Sequence, residues 1–124
     1  MRSRSFYVED DPMVAEMYRL KLELDGYRVV MAKDGLEGLR LADERSPDLI
    51  FLDIRLPAMD GLEVLERLRQ SERTRQVPVV ILSNYSETDL RERGVKLGAL
   101  DYLIKSQTTP SRLSSSVQGW LGET

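Results

Sequence analysis

The feature that most constrains the fold of this chain is a pair of short, wholly apolar runs, Leu49–Leu52 and Val79–Leu82. A strand with one face in water alternates apolar and polar residues, whereas these runs are apolar on both faces of a strand. Such runs are typical of parallel strands that helices cover on both sides. The sequence therefore predicts an α/β fold in which both segments are buried strands of a parallel sheet.

Strand and helix signals alternate five times along the chain. Three further strands are predicted over Ser5–Val8, Tyr27–Ala32 and Asp101–Ile104. Helix starts are predicted at polar N-cap residues, two of them followed by proline: Asp11, Asp34, Asp60, Ser86 and Thr109. The alternation predicts a doubly wound (βα)₅ fold of the flavodoxin-like type. Its parallel strands are expected in the order 2-1-3-4-5, with helices on both faces of the sheet.

Apolar residues at helical spacing predict which face of each helix packs on the sheet. In the first helix this stripe is Met13, Met17, Leu20 and Leu24. The corresponding stripes of the second, third and fifth helices are Leu36, Leu39 and Ala42; Leu62, Leu65 and Leu68; and Leu113, Val117 and Trp120. We expect these stripes to face the core.

The composition narrows the class of protein. A length of 124 residues fits one domain, residues 1–124. The chain has no cysteine and no histidine, so it forms neither disulfides nor a Ser-His-Asp triad, and it carries no phosphohistidine of its own. Its net charge of −3 gives no nucleic-acid footprint, and no apolar run is long enough to span a membrane. We expect a soluble, cytoplasmic protein that binds neither nucleic acid nor membranes directly.

Charged residues follow three of the predicted strands at the point where each strand ends. Glu9 and Asp10 follow the first strand, Asp53 follows the third, and Lys105 follows the fifth. The carboxyl ends of parallel strands meet at one edge, where ligands bind in open α/β sheets, so we expect these side chains to share a site. With strands 1 and 3 about 4.8 Å apart, Asp10 and Asp53 would repel by roughly 3–4 kcal/mol. The site therefore needs a cation.

The remaining chemistry of this edge points to a metal and a phosphate group. Hard oxygen ligands without imidazole or thiolate suit magnesium, which leaves coordination positions for water and phosphate oxygens. Lys105 lies two strands from Asp53, about 10 Å away at the backbone, a gap that a long cationic side chain can span. Ser83 ends the fourth strand and is placed to hydrogen-bond a group on Asp53. The constellation describes a carboxylate nucleophile, a metal and two phosphate ligands.

These residues resemble the signature of the receiver domain of two-component response regulators, and the resemblance covers nearly the whole chain. Glu9 and Asp10 match the family's acidic pair, Asp53 its phosphoacceptor and Lys105 its lysine. The other matching positions are the Ser/Thr switch residue Ser83, the switch aromatic Tyr102, Pro57 and the pair Asp60-Gly61.

The resemblance implies a phosphoacceptor with a magnesium cofactor. Asp53 would take a phosphoryl group from the phosphohistidine of a sensor histidine kinase or of a histidine phosphotransfer protein. Magnesium would be held by Asp10, Asp53, the main-chain carbonyl of Arg55 and, through water, Glu9. Such a chain is a signalling domain, with self-phosphorylation from small donors and self-dephosphorylation as its own chemistry.

The resemblance also implies a switch. Phosphorylation would draw Ser83 inward and let Tyr102 turn from exposed to buried. This change would alter the surface of the fourth helix, the fifth strand and the fifth helix, where a second copy of the chain or an effector could dock.

Two positions depart from the family pattern. Receivers usually have a proline in a cis peptide after the lysine, whereas Ser106 follows Lys105 here, so we expect a trans bond. Asn84 follows Ser83 where a small residue is common. Its amide could crowd the entrance of the site or add a hydrogen bond to the phosphoryl group.

Other classes of function remain open. A haloacid-dehalogenase-like phosphatase also uses an aspartate nucleophile and magnesium, but it needs an acid two residues after the nucleophile, where this chain has Arg55. An unphosphorylated pseudo-receiver would normally lack one of the acids or the lysine, and all are present. A nucleotide-binding module is disfavoured because no glycine-rich loop follows the first strand.

Overall fold

The elements of the chain follow the predicted alternation of strand and helix. The computed structural model describes residues 4–8, 11–56, 59–84 and 88–122, with only the backbone course for residues 4–8. The elements are β1 (Arg4–Val8), α1 (Pro12–Leu24), β2 (Arg28–Ala32), α2 (Gly35–Arg45), β3 (Leu49–Leu52), α3 (Gly61–Gln70), β4 (Val79–Ser83), α4 (Thr88–Lys96), β5 (Asp101–Ile104) and α5 (Pro110–Trp120). A 3₁₀ turn, Lys105–Gln107, joins β5 to α5.

The sheet has the predicted topology. Its strands lie in the order β2-β1-β3-β4-β5, and every neighbouring pair is parallel. Leu52 at the end of β3 pairs with Val8 of β1 and with Ile81 of β4. Ser83 at the end of β4 pairs with Ile104 of β5. The ends of these four strands therefore share one edge, and the doubly wound fold is confirmed.

Helices cover both faces of the sheet. The sheet therefore separates the core into two layers, one on each face. All residues of β3 and β4 are buried between these layers, as their apolar runs predict. The layer under α1 and α5 includes Tyr18, Leu22, Phe51, Leu82 and Leu113. The layer under α2, α3 and α4 includes Leu41, Ile50, Leu65, Ile81 and Tyr102. No helix within the described ranges is long and apolar enough to cross a membrane.

The predicted N-caps hold where the structure describes them. Backbone N–H groups of the first turn donate to the cap side chains of α1, α2, α3 and α5, which are Asp11, Asp34, Asp60 and Thr109. Pro12 and Pro110 occupy the first helical turn, where the missing N–H would have no partner within the helix. Ser86, the predicted cap of α4, lies outside the described residues.

The predicted inward face of α1 is wrong. Its stripe of Met13, Met17, Leu20 and Leu24 is exposed, each side chain by between 50% and 81%. The buried face consists instead of Ala15, Tyr18 and Leu22. Both stripes recur at helical spacing, so periodicity alone does not say which of them meets the sheet.

Two hydrogen bonds fix the rotation of α1 about its axis. The Tyr18 hydroxyl donates to the Thr108 carbonyl, 2.6 Å away. Just past the last residue of the helix, the hydroxyl of Ser114 donates to Asp25 at 2.5 Å, and this bond holds the pKa of the Asp25 carboxyl below its usual range. The partners of each bond are 90 and 89 residues apart in the chain. The periodicity of apolar residues within one helix carries no information about contacts between residues so far apart in the chain.

The other stripes are mostly as predicted. Leu62, Leu65 and Leu68 of α3 and Leu113 and Val117 of α5 are buried. Trp120 is half-buried; its ring meets Phe51 edge-on at 5.8 Å, and its Nε1 donates to Asp101.

In α2 the prediction is wrong for one of the three expected core residues. Ala42 is buried and Leu39 is half-buried, but Leu36 is exposed and Leu41 is buried instead. A Cβ on Gly35 would lie 2.7 Å from Val64 Cγ2, so the first turn of α2 approaches α3 through its glycine. This close approach turns the neighbouring leucine towards solvent.

Candidate functional site

Asp53 follows β3 directly, at the edge where four strands end. Its Oδ2 accepts a hydrogen bond from Lys105 Nζ at 2.7 Å. The side chains of Asp53 and Lys105 are only 7% and 9% exposed. An ion pair screened from water in this way interacts more strongly than a pair on the surface. The structure thus brings together the aspartate and the lysine that the sequence placed directly after the third and fifth strands.

The backbone after Asp53 folds tightly against the start of α3. The N–H of Arg55 donates to Asp53 Oδ1 at 3.3 Å, and the N–H of Gly61 donates to the carbonyl of Ile54 at 2.7 Å. A Cβ on Gly61 would lie 2.0 Å from the carbonyl oxygen of Asp53, so no larger residue fits without a shift of the backbone. Asp60 caps the helix at the same point. The pair Asp60-Gly61 therefore fixes where α3 begins relative to Asp53.

Ser83 lies on the neighbouring strand at nearly the same level. Because Leu52 pairs with Ile81, Ser83 stands one residue further towards the rim than the level of Asp53. Its side chain is fully buried, whereas the next residue, Asn84, is exposed. The hydroxyl predicted to serve the site is thus at the expected strand end.

Tyr102 departs from the expectation of an exposed starting position. Its ring is 5% exposed and belongs to the core layer under α4. The guanidinium carbon of Arg91 lies 5.3 Å from the ring centroid, a cation–π distance. A Cβ on Gly94 would lie 2.7 Å from Ile81 Cδ1, so α4 packs closely on β4. This close packing keeps the aromatic ring covered.

The predicted metal ligands are described only in part. Glu9 and Asp10 lie outside the described residues, as does Pro57. In the described ranges there is no group of three or more acidic, histidine or cysteine side chains that could hold a metal. The pairing of Val8 with Leu52 brings the end of β1 beside Asp53. Asp53 presents carboxylate oxygens of the hard type that magnesium prefers, so the donor chemistry fits this ion.

The turn that carries Lys105 is closed by Thr108. The N–H of Thr108 donates to the Lys105 carbonyl at 3.2 Å, and its Oγ1 donates to the Ile104 carbonyl at 2.9 Å. No peptide bond of the described chain is cis, and the bond from Lys105 to Ser106 is therefore trans, as expected.

Sequence reasoning missed two residues that contact this region, Tyr18 and Arg91. Tyr18 on α1 bonds to the turn after β5, and Arg91 on α4 covers the Tyr102 ring. Neither contact has a local signal, because each joins elements that meet only in the folded chain.

The family model and the related sequences point to the same protein family. The family model of the response regulator receiver domain matches residues 6–118. The DNA-binding dual master transcriptional regulator RpaA of Synechocystis sp. is 41% identical over 102 residues, which cover 82% of this chain and 42% of RpaA. The polar-differentiation response regulator DivK of Brucella ovis is 34% identical over 116 residues, which cover 94% of each chain. The chain thus spans about two fifths of the length of the transcriptional regulator and nearly all of DivK.

Solved structures agree with this comparison. The receiver domain of a sensor histidine kinase from Pseudomonas aeruginosa superposes with a TM-score of 0.89 at 31% identity, covering 99% of this chain and 100% of that domain. That structure is described as having a magnesium ion coordinated in its active-site cleft.

Proposed function

This chain belongs to the response regulator receiver domain family, and from that premise we propose that Asp53 is its phosphoacceptor. A carboxylate oxygen of Asp53 forms a bond to the phosphorus of a phosphohistidine on a histidine kinase or phosphotransfer protein. The bond from phosphorus to the imidazole nitrogen breaks, and its electron pair leaves with the imidazole. The chain then acts as a signalling domain and turns over no separate substrate.

The observation that carries this proposal is the ion pair of Asp53 with Lys105. A carboxylate at the carboxyl edge of the sheet is held 2.7 Å from an ammonium group that comes from another strand. When the carboxylate becomes an acyl phosphate, the same ammonium can neutralise the added charge, since lysine binds phosphate as a point charge. The same lysine can thus balance the charge of Asp53 both before and after phosphorylation.

Magnesium is the cofactor that we propose for this site. The residues that would hold it are the carboxylates of Asp10 and Asp53, the main-chain carbonyl of Arg55 and, through water, Glu9. When bound, magnesium supplies positive charge next to the transferring phosphoryl group. The cysteine-free composition fits a reducing, cytoplasmic location for this chemistry.

Intact mass after incubation with acetyl phosphate tests the assignment. We expect the wild type to gain one phosphoryl group in the presence of magnesium and none in chelator. Asp53→Asn should gain none, because the amide oxygen is a far weaker nucleophile. Asp48→Asn, which changes an exposed aspartate before β3, should behave as the wild type.

Three outcomes would contradict the proposal. Phosphorylation of Asp53→Asn to the wild-type extent would reject Asp53 as the acceptor, and an unmodified wild type would favour an unphosphorylated pseudo-receiver. Hydrolysis of added phosphoesters would revive the phosphatase alternative. The exposed Arg55 does not favour that alternative, since it stands where a phosphatase of that type has its acid.

We further propose that phosphorylation stabilises one arrangement of the ends of β4 and β5. Ser83 ends β4 and Lys105 directly follows the neighbouring strand β5, and both can donate to phosphoryl oxygens. Because the Tyr102 ring is already buried under Arg91, the phosphoryl group would hold it there rather than turn it inward. The face of α4, β5 and α5 would carry the signal, with Val95 and Leu100 exposed for a second copy or an effector.

Amide exchange with and without beryllofluoride, a mimic of the phosphoryl group, tests this switch. In the wild type we expect protection to rise across residues 83–105, because two donors are drawn to the added group. Ser83→Ala should still bind beryllofluoride but show a much smaller change. Ser115→Ala, which removes an exposed hydroxyl from α5, should respond as the wild type does. Equal responses in the Ser83 and Ser115 variants would mean that Ser83 does not transmit the signal.

The exposed stripe of α1, Met13, Met17, Leu20 and Leu24, is the surface that we propose for the phosphodonor. Contiguous exposed apolar side chains mark interaction sites on soluble proteins. The stripe runs about 17 Å along the helix, and its first residue follows the acidic segment 9–11 closely in the chain. A donor protein with an apolar helical surface could pack there while its histidine reaches Asp53.

Residues 1–124 are proposed to form one receiver domain. The family match covers residues 6–118, and the sheet uses strands from Arg4 to Ile104. The output of the whole protein is a separate matter, since receivers occur in RpaA, which is named a transcriptional regulator, and in DivK, which is named a differentiation regulator.

A further inference from the structure

The position of Lys105 depends on a short turn with exposed residues at its centre. Ser106 and Gln107 are exposed, whereas Thr108, the residue that closes the turn, is buried. The Oγ1 of Thr108 donates to Ile104 and its N–H to Lys105, so the turn is folded back onto the end of β5. What holds Thr108 in place therefore also holds the backbone of Lys105.

Tyr18 supplies that restraint from another element. The ring is 2% exposed in the core layer between α1 and α5. Its hydroxyl donates to the Thr108 carbonyl at 2.6 Å and lies 3.5 Å from the Lys105 carbonyl. The first of these distances is that of a strong O–H to O hydrogen bond, and the second is a long contact. A single buried hydroxyl thus reaches both ends of the turn.

We propose that Tyr18 is a positioning residue for Lys105, an inference that rests on the proposed role of Asp53. It acts through the turn and touches neither Asp53 nor the phosphoryl group. With the hydroxyl in place, Lys105 Nζ stays 2.7 Å from Asp53 Oδ2 and is ready for a phosphoryl oxygen. Without the hydroxyl, the buried Thr108 carbonyl loses its donor and the turn can shift to find water. The lysine then samples positions from which it cannot reach the phosphoryl group.

A matched pair of variants separates this role from simple stability. Tyr18→Phe removes the hydroxyl and keeps the ring. Thr74→Val removes another buried hydroxyl, which donates to the Leu68 carbonyl at 2.7 Å in the connection from α3 to β4. That connection precedes β4 and so lies at the opposite edge of the sheet from Asp53. Both variants lose one buried hydroxyl-to-carbonyl bond, and thermal unfolding should show a lower melting temperature for both.

The readouts are the affinity for magnesium alone and the affinity for beryllofluoride in saturating magnesium, the latter followed by fluorine NMR. We expect Tyr18→Phe to weaken beryllofluoride binding about fivefold, which is the loss for one net hydrogen bond, and to leave magnesium binding within about twofold of the wild type. Thr74→Val should leave both affinities unchanged. Thr108→Val, which opens the turn from its other side, should reproduce the Tyr18→Phe result and serves if Tyr18→Phe folds poorly.

The outcomes distinguish the inference from the function beneath it. If the wild type neither binds beryllofluoride nor accepts phosphate, the proposed function fails and the inference fails with it. If the wild type binds beryllofluoride and Tyr18→Phe matches Thr74→Val, the positioning role is overturned while the phosphoacceptor stands. A parallel loss of magnesium affinity in Tyr18→Phe would also overturn it, because it would indicate a general loosening of the site.

Discussion

Lys105→Met should lower the free energy of unfolding by about 3 kcal/mol in chelator at neutral pH, because it leaves the buried Asp53 carboxylate without its cation. The two side chains are 9% and 7% exposed and 2.7 Å apart, so little solvent is available to replace the ammonium. The acidic residues Glu9 and Asp10, which follow β1 in the chain, would add to the repulsion. Urea unfolding measures the change, provided that the dependence of the unfolding free energy on urea concentration is the same in the variant and the wild type.

Two further variants make this result specific. Arg67→Met breaks the ion pair with Glu63, whose side chains are 55% and 51% exposed, and should cost no more than about 0.5 kcal/mol. Asp53→Asn/Lys105→Met removes both charges and should recover most of the loss, because no uncompensated buried charge remains. An effect of Lys105→Met as small as that of Arg67→Met, or a double variant as unstable as the single one, would mean that the pair is effectively solvated.

The local parts of the fold could be predicted because their signals are local. Two apolar runs identified β3 and β4, and capping residues identified the starts of four helices. The expected strand order was that of the flavodoxin-like (βα)₅ arrangement, which the handedness and connection rules of parallel sheets allow. Once the order was known, Asp53 and Lys105 had to reach one edge, and only their 2.7 Å contact needed the structure.

The features that sequence could not supply are those set by distant partners. The face that α1 buries depends on the bonds from Tyr18 and Asp25 to the segment before α5 and to α5 itself. The burial of Tyr102 depends on Arg91 and on the close approach of α4 at Gly94. Periodicity ranks the faces of a helix by apolarity, and α1 has two apolar faces. The apolar face of α1 that does not pack on the sheet is the stripe of Met13, Met17, Leu20 and Leu24. Its large side chains are exposed, so they are available to a partner.

Met17→Glu should slow phosphotransfer from a protein donor by at least about tenfold, because it places a charge in the middle of the exposed α1 stripe that we propose as the docking surface. The donor is a histidine kinase or phosphotransfer protein selected by its ability to phosphorylate the wild-type chain. Met17 is 53% exposed, so the substitution should leave the free energy of unfolding nearly unchanged. Phosphorylation by acetyl phosphate should proceed at the wild-type rate, because this small donor needs no docking surface.

The matched control is Val95→Glu, which adds the same charge at an exposed apolar residue of α4, outside the stripe. It should accept phosphate from both donors at the wild-type rate. If Met17→Glu slows both donors equally, the substitution has disturbed the acidic end of the site rather than a docking contact. If it slows neither, the phosphodonor does not use this face, and the exposed stripe of α1 serves another partner.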